Sequence, residues 1–163
     1  MVVRAAQLAS VDASAGLGSR LAWSFVAGAL AMLTFHQAAV GLFHAARLFP
    51  VPPFELQPTG PLRVPKVVNG AFWAGLWGIV FLLVVLPRMR RAMPGWAAGC
   101  VFGFVVPVAV LFLVVAPLKG QPIAFAQPFG SMLRIALAHA FWGLGMVLVW
   151  QGMREPERED QGW

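Results

Sequence analysis

The chain has 163 residues, of which 60% are apolar and only 11% charged, and its mean hydropathy is positive. A soluble domain carries roughly 25% charged residues, so this composition predicts an all-α, polytopic membrane protein. The net charge of +6 does not mark a nucleic-acid binder, because the 12 basic residues stand at the borders of apolar runs with no basic face interleaved with aromatics. The single cysteine, Cys100, has no partner within the chain and lies in an apolar run. It founds neither a disulfide framework nor a metal cluster, and it reads as a small buried apolar residue.

A spanning helix needs about 20 mostly apolar residues. Four segments qualify: Leu21 to Leu48, Gly70 to Leu86, Trp96 to Ala116 and Met132 to Trp150. They define a transmembrane domain over 21–150, an N-terminal arm over 1–20 and a polar tail over 151–163. The first span is long enough to require tilt or an end extending past the hydrocarbon, and its length and the arm before it favour a retained anchor over a cleaved signal peptide. Pro87 and Pro117 are expected to close the second and third spans, since a proline lacks the amide donor that continues a helix. Pro107 inside the third is expected to bend it.

The loops 49–69 and 117–131 fall on one side of these spans. Residues 49–68 carry six prolines, which favour extended backbone and an ordered cap over the bundle. Basic residues set the orientation. Arg4, Arg20, Arg88, Arg90, Arg91, Arg154 and Arg158 lie on one side, against Arg47, Arg63, Lys66, Lys119 and Arg134 on the other. The dense RMRR cluster in the short loop makes its side cytoplasmic, so both termini are expected there. Trp23, Trp96 and Trp150 fall near the same interface, where indole rings favour the headgroup zone. The arginine cluster is expected to contact anionic headgroups, and the tail REPERED is too polar to bury.

Two unlike segments recur at nearly one spacing. QPTGPL (57–62) is matched by QPFGSM (127–132) at an offset of 70, and the AFW at Ala71 is matched by the AFW at Ala140 at an offset of 69. The agreement points to two related helical hairpins, a parallel 2+2 repeat. That arrangement differs from the inverted repeats of secondary transporters. The runs FHQ (35–37), AFWAGLWG (71–78), APLKGQP (116–122) and AFWGLG (140–145) resemble a family of small, uncharacterised four-helix bacterial membrane proteins. The resemblance implies the topology and the bacterial inner membrane. It transfers no activity.

The polar residues within the spans are the candidate site: His36, Gln37, His44 and His139. Buried polar groups at membrane depth are functional candidates by default. At 100° per residue, Gln37 and His44 lie within about 20° of each other, whereas His36 and His44 diverge by about 80°. Ala27, Ala31, Thr34, Ala38, Gly41 and Ala45 form a small-residue stripe beside Gln37 and His44, read as a packing face. Gly70, Ala74 and Gly78 in the second span and Gly95, Gly99 and Gly103 in the third form similar ladders. Counted inward from the loop side, His44 stands about 6 Å deep, His36 about 18 Å and His139 about 12 Å. A haem held between two of these histidines is therefore out of register by about 6 Å.

The spans contain no Asp or Glu, which argues against a zinc site and against a carrier using a buried carboxylate. There is no P-loop, no dinucleotide fingerprint and no recognisable nucleophile motif, so an enzyme is a residual reading. The preferred expectation is a non-catalytic structural or accessory subunit that packs against other membrane proteins or against itself. The alternative is a protein that binds haem, pigment or quinone, or conducts a small solute, through His36, His44 or His139.

Overall fold

The computed structural model describes residues 2–153, with side chains from residue 16 onward. Four helices are long and apolar enough to cross a membrane: Gly16–Ala45, Lys66–Met89, Gly95–Leu118 and Phe129–Gly152. We call them α1 to α4; α1 also extends back to Val2. Of the tail expected over 151–163, residues 154–163 lie outside the described residues.

Three helices start directly after a proline, Pro65, Pro94 and Pro128, each in extended backbone with ψ between 138° and 150°. Proline suits that place, because the first amides of a helix have no intrahelical acceptor to lose. The expected stops at Pro87 and Pro117 are corrected by the structure, since α2 continues to Met89 and α3 to Leu118. Just upstream the helix widens into a π turn, over Phe81–Val85 and Leu111–Val115, closed by Leu86 N–H to Phe81 O and Ala116 N–H to Leu111 O. The wider turn moves carbonyls away from the proline ring that would otherwise clash with the one four residues back. In α2 the Arg88 guanidinium then donates to the Val84 carbonyl.

A third π turn, Met32–His36, interrupts α1 and changes which residues face the bundle. An extra residue in one turn rotates the following helix by roughly 100°. The small-residue stripe accordingly breaks in two. Ala27 and Ala31 are fully buried, whereas Thr34, Ala38 and Ala45 are exposed, and His36, Gln37 and Ala39 turn inward instead. Thr34 Oγ1 donates to the Leu30 carbonyl at 2.7 Å, the back-bonding that accompanies such irregular turns.

α1 packs along α2, α3 along α4, and α1 along α4. Glycines permit these approaches. A Cβ on Gly28 would stand 2.2 Å from Ala74 O, and one on Gly143 would stand 1.9 Å from Gly99 O. Backbones this close gain van der Waals contact, the term that holds helices together where lipid removes the hydrophobic one. Around the contacts lies a core of Phe81, Leu86, Phe102, Trp142, Met146 and Val147. Trp142, 2% exposed, donates its indole N–H to the Gly28 carbonyl at 2.9 Å and so ties α4 to α1. Trp150 also turns into this core, whereas Trp23 and Trp96 are exposed at the same end. Cys100 is half-buried on α3, contrary to its expected burial.

α2 and α3 behave differently. They are joined by a short turn over residues 90–94 and meet through Phe81 and Phe102, whose ring centroids are 4.8 Å apart. Towards the loop end their backbones stand apart.

At that end the proline-rich segment forms an ordered cap. Pro58–Thr59 (β1) and Val64–Pro65 (β2) make a two-rung antiparallel hairpin, and Lys66 Nζ pairs with Glu55 Oε1 at 2.7 Å. In the second loop, Ala124, Phe125 and Ala126 all have φ of 54°, a left-handed turn whose buried Ala124 packs against Val108, Phe112 and Ala136.

A lateral cleft with a histidine floor

Two of the four candidate residues act as fasteners of the cap. Gln37 Oε1 accepts the Phe54 N–H at 2.7 Å, and His44 Nδ1 lies 3.1 Å from the Phe49 carbonyl. A carbonyl only accepts, so Nδ1 of His44 carries the proton. The two side chains lie on one side of α1 and hold successive points of one loop.

His36 and His139 come together instead. Their ring centroids are 4.9 Å apart with planes at 85°, an edge-to-face contact across α1 and α4. This corrects the expected displacement along the axis. α1 ends at Ala45 rather than at residue 48, and α4 begins at Phe129 rather than at residue 132. Measured from those ends, His36 is about 14 Å deep and His139 about 15 Å, the same level. The direct ring contact also leaves no slot for a macrocycle between them, so this arrangement does not hold a haem or pigment ligated by both histidines. Among the described residues no three His, Cys, Asp or Glu side chains gather into a metal site.

The two rings differ in what they reach. His36 is 9% exposed and its Nδ1 is buried with no hydrogen-bond partner. His139 Nδ1 stands 2.8 Å from the Ile135 carbonyl, one turn back in α4, and therefore carries the proton that bonds it. Its Nε2 makes no hydrogen bond among the described residues and is not sealed from the space the ring borders.

That space is a cleft of about 620 Å³ between α2 and α3. Trp73, Trp77 and Val80 form one wall, Pro107, Val110 and Leu111 the other, and Met32, His139 and Trp142 the floor. Thr59, Gly60 and Lys119 rim the loop end, and Asn69 stands in the α2 wall. No acidic residue lines it. The volume is that of a small-molecule site, and apolar, aromatic walls with a few polar groups are the usual composition. Trp73 is 56% exposed, so the cleft opens sideways to whatever surrounds the helices. A second, smaller cavity of about 180 Å³ lies at the arginine end between Arg20, Arg90 and Trp150.

Of the cleft residues, the sequence singled out His139 alone as a site. Trp73 and Trp142 carried a signal nonetheless, since each is the tryptophan of a repeated AFW. Asn69 and Lys119 carried none, because only the splaying of α2 from α3 brings them to one space. Comparison with protein-family models, with curated proteins and with solved structures finds no match.

Proposed function

We propose that the protein is a small bacterial inner-membrane protein, with both termini in the cytoplasm, that binds a lipid-soluble ligand in the cleft between α2 and α3. The observation that carries this reading is the cleft itself: about 620 Å³ walled by tryptophans, open to the side, with an unengaged histidine nitrogen at its floor. A merely structural bundle in lipid gains by closing such a space, because packing is its main source of stability. No catalytic group is assigned, and the chain's part is to hold the ligand.

A second reading, the accessory subunit that packs against other membrane proteins or a second copy, is favoured by a different observation. Gln37 Oε1 and His44 Nδ1 are taken up in fastening the cap, a structural use of two of the four polar candidates. The two readings are compatible, since a ligand-holding subunit can also dock. A duplicated parallel hairpin accords with the glycine contacts: Gly28 on Ala74 in the first pair corresponds to Gly99 on Gly143 in the second, at offsets of 71 and 69.

The test is purification in mild detergent, followed by solvent extraction and mass spectrometry. Wild-type protein is expected to carry an apolar small molecule at near-stoichiometric amount, and Val110→Trp, which fills the cleft, is expected to lose it while keeping its helical circular dichroism. A wild-type preparation that carries none and takes up no added apolar amphiphile overturns the proposal.

A further inference from the structure

We infer that the ligand of this cleft is a lipid-soluble hydroquinone, held in its reduced form by a phenolic O–H donated to His139 Nε2. The inference rests on the cleft being a binding site and adds which chemistry it selects.

The argument starts from the tautomer. The Nδ1 proton of His139 is committed to the Ile135 carbonyl at 2.8 Å, so in the neutral ring Nε2 presents a lone pair and no hydrogen. What it meets must therefore be a donor. A quinone carbonyl offers only lone pairs, whereas a hydroquinone offers an O–H. Depth then limits the rest of the molecule. His139 lies about 15 Å from the loop end of α4, too deep for the charged or zwitterionic headgroup of a phospholipid to be carried without great cost. A hydroquinone ring is largely apolar, and only its hydroxyls need partners at that level.

The walls fit the same head. Trp73 and Trp77 present aromatic surfaces on which a flat ring stacks, and the volume accommodates a ring with the first units of a hydrocarbon tail. The tail leaves past the exposed Trp73 into hydrocarbon. Behind the floor a second histidine backs the first. His36, packed edge-to-face on His139, has a buried Nδ1 with no partner.

A hydrogen bond that one ligand makes and its analogue cannot, leaving a buried acceptor unpaired, changes affinity by about tenfold to a hundredfold. The experiment uses the full chain in phosphatidylcholine nanodiscs under anaerobic conditions, with binding followed by quenching of tryptophan fluorescence. Three probes share one decyl tail: the hydroquinone, its quinone and its dimethyl ether. The hydroquinone is expected to bind at least tenfold more tightly than the other two, and His139→Leu to abolish that difference. Trp73→Ala is expected to weaken all three alike. Equal binding of the three probes to wild-type protein, or preference for the quinone, overturns the hydroxyl inference while the cleft remains a binding site. Failure of all three to bind removes the cleft reading itself.

Discussion

Replacing Gly143 by alanine probes the closest approach in the bundle. The new Cβ would stand 1.9 Å from Gly99 O and 2.7 Å from Gly99 C, both backbone atoms of α3. Ordinary contact begins near 3.4 Å, so the two helices must part by about 1.5 Å along that line, and no side-chain rotation can absorb the clash. Overpacking with backbone movement costs about 3 kcal/mol, which for a chain of this size lowers the thermal midpoint by about 6 to 12 °C. Gly70→Ala meets only the Met32 Cε instead, at 2.8 Å, the far end of a flexible side chain that can move aside. Its cost should be smaller. Gly152→Ala meets nothing within 4 Å and should change little. The assay is thermal unfolding of the three variants in one detergent, followed by intrinsic fluorescence. A Gly143→Ala protein as stable as wild type, or an inverted order of the three, would refute the claim that backbone proximity sets the stability of the α3–α4 pair.

Two further predictions concern the cap. Gln37→Leu removes the acceptor of the Phe54 N–H and leaves a part-buried amide unpaired; a loss of about 1 to 3 kcal/mol is expected, read as faster hydrogen exchange at Phe54 and faster proteolysis within residues 49–57. Ala126→Gly relieves a left-handed residue at φ of 54° that is exposed and has no packing to lose; a gain of about 0.5 to 1 kcal/mol is expected in the same thermal assay.

Much of the fold was legible because the spans are governed by bulk composition. Apolar runs of membrane length and charged borders survive any local irregularity, so four helices follow from residues 21–150, with seven of their eight ends displaced by four positions or fewer and the start of α1 lying further back. What was not legible depends on local register. The prolines at 87 and 117 read as stops, yet a widened turn upstream of each lets the helix continue. Gly28, which makes the tightest contact of α1 with α2, lay off the stripe selected by spacing. The π turn at 32–36 then moved Thr34 and Ala38 outward and His36 inward, and no periodicity computed at 100° per residue anticipates a turn of different pitch. The histidine pair failed for a related reason. An error of three residues at each helix end, compounded over two helices, is enough to separate in calculation two rings that touch. The fastening roles of Gln37 and His44 follow from their shared side of α1, but their partners are loop backbone atoms that carry no sequence identity.

The five-residue turn lets α2 and α3 meet at the arginine end while each is bound along its length to a different partner, α2 to α1 through Gly28 and Ala74 and α3 to α4 through Gly99 and Gly143. The cleft is thus the gap between two tightly packed pairs. Its width is set where α1 meets α4, with Trp142 bonded to Gly28 and His36 resting on His139. Backbone contacts hold the aperture as firmly as the floor, so any head that enters must match a fixed thickness.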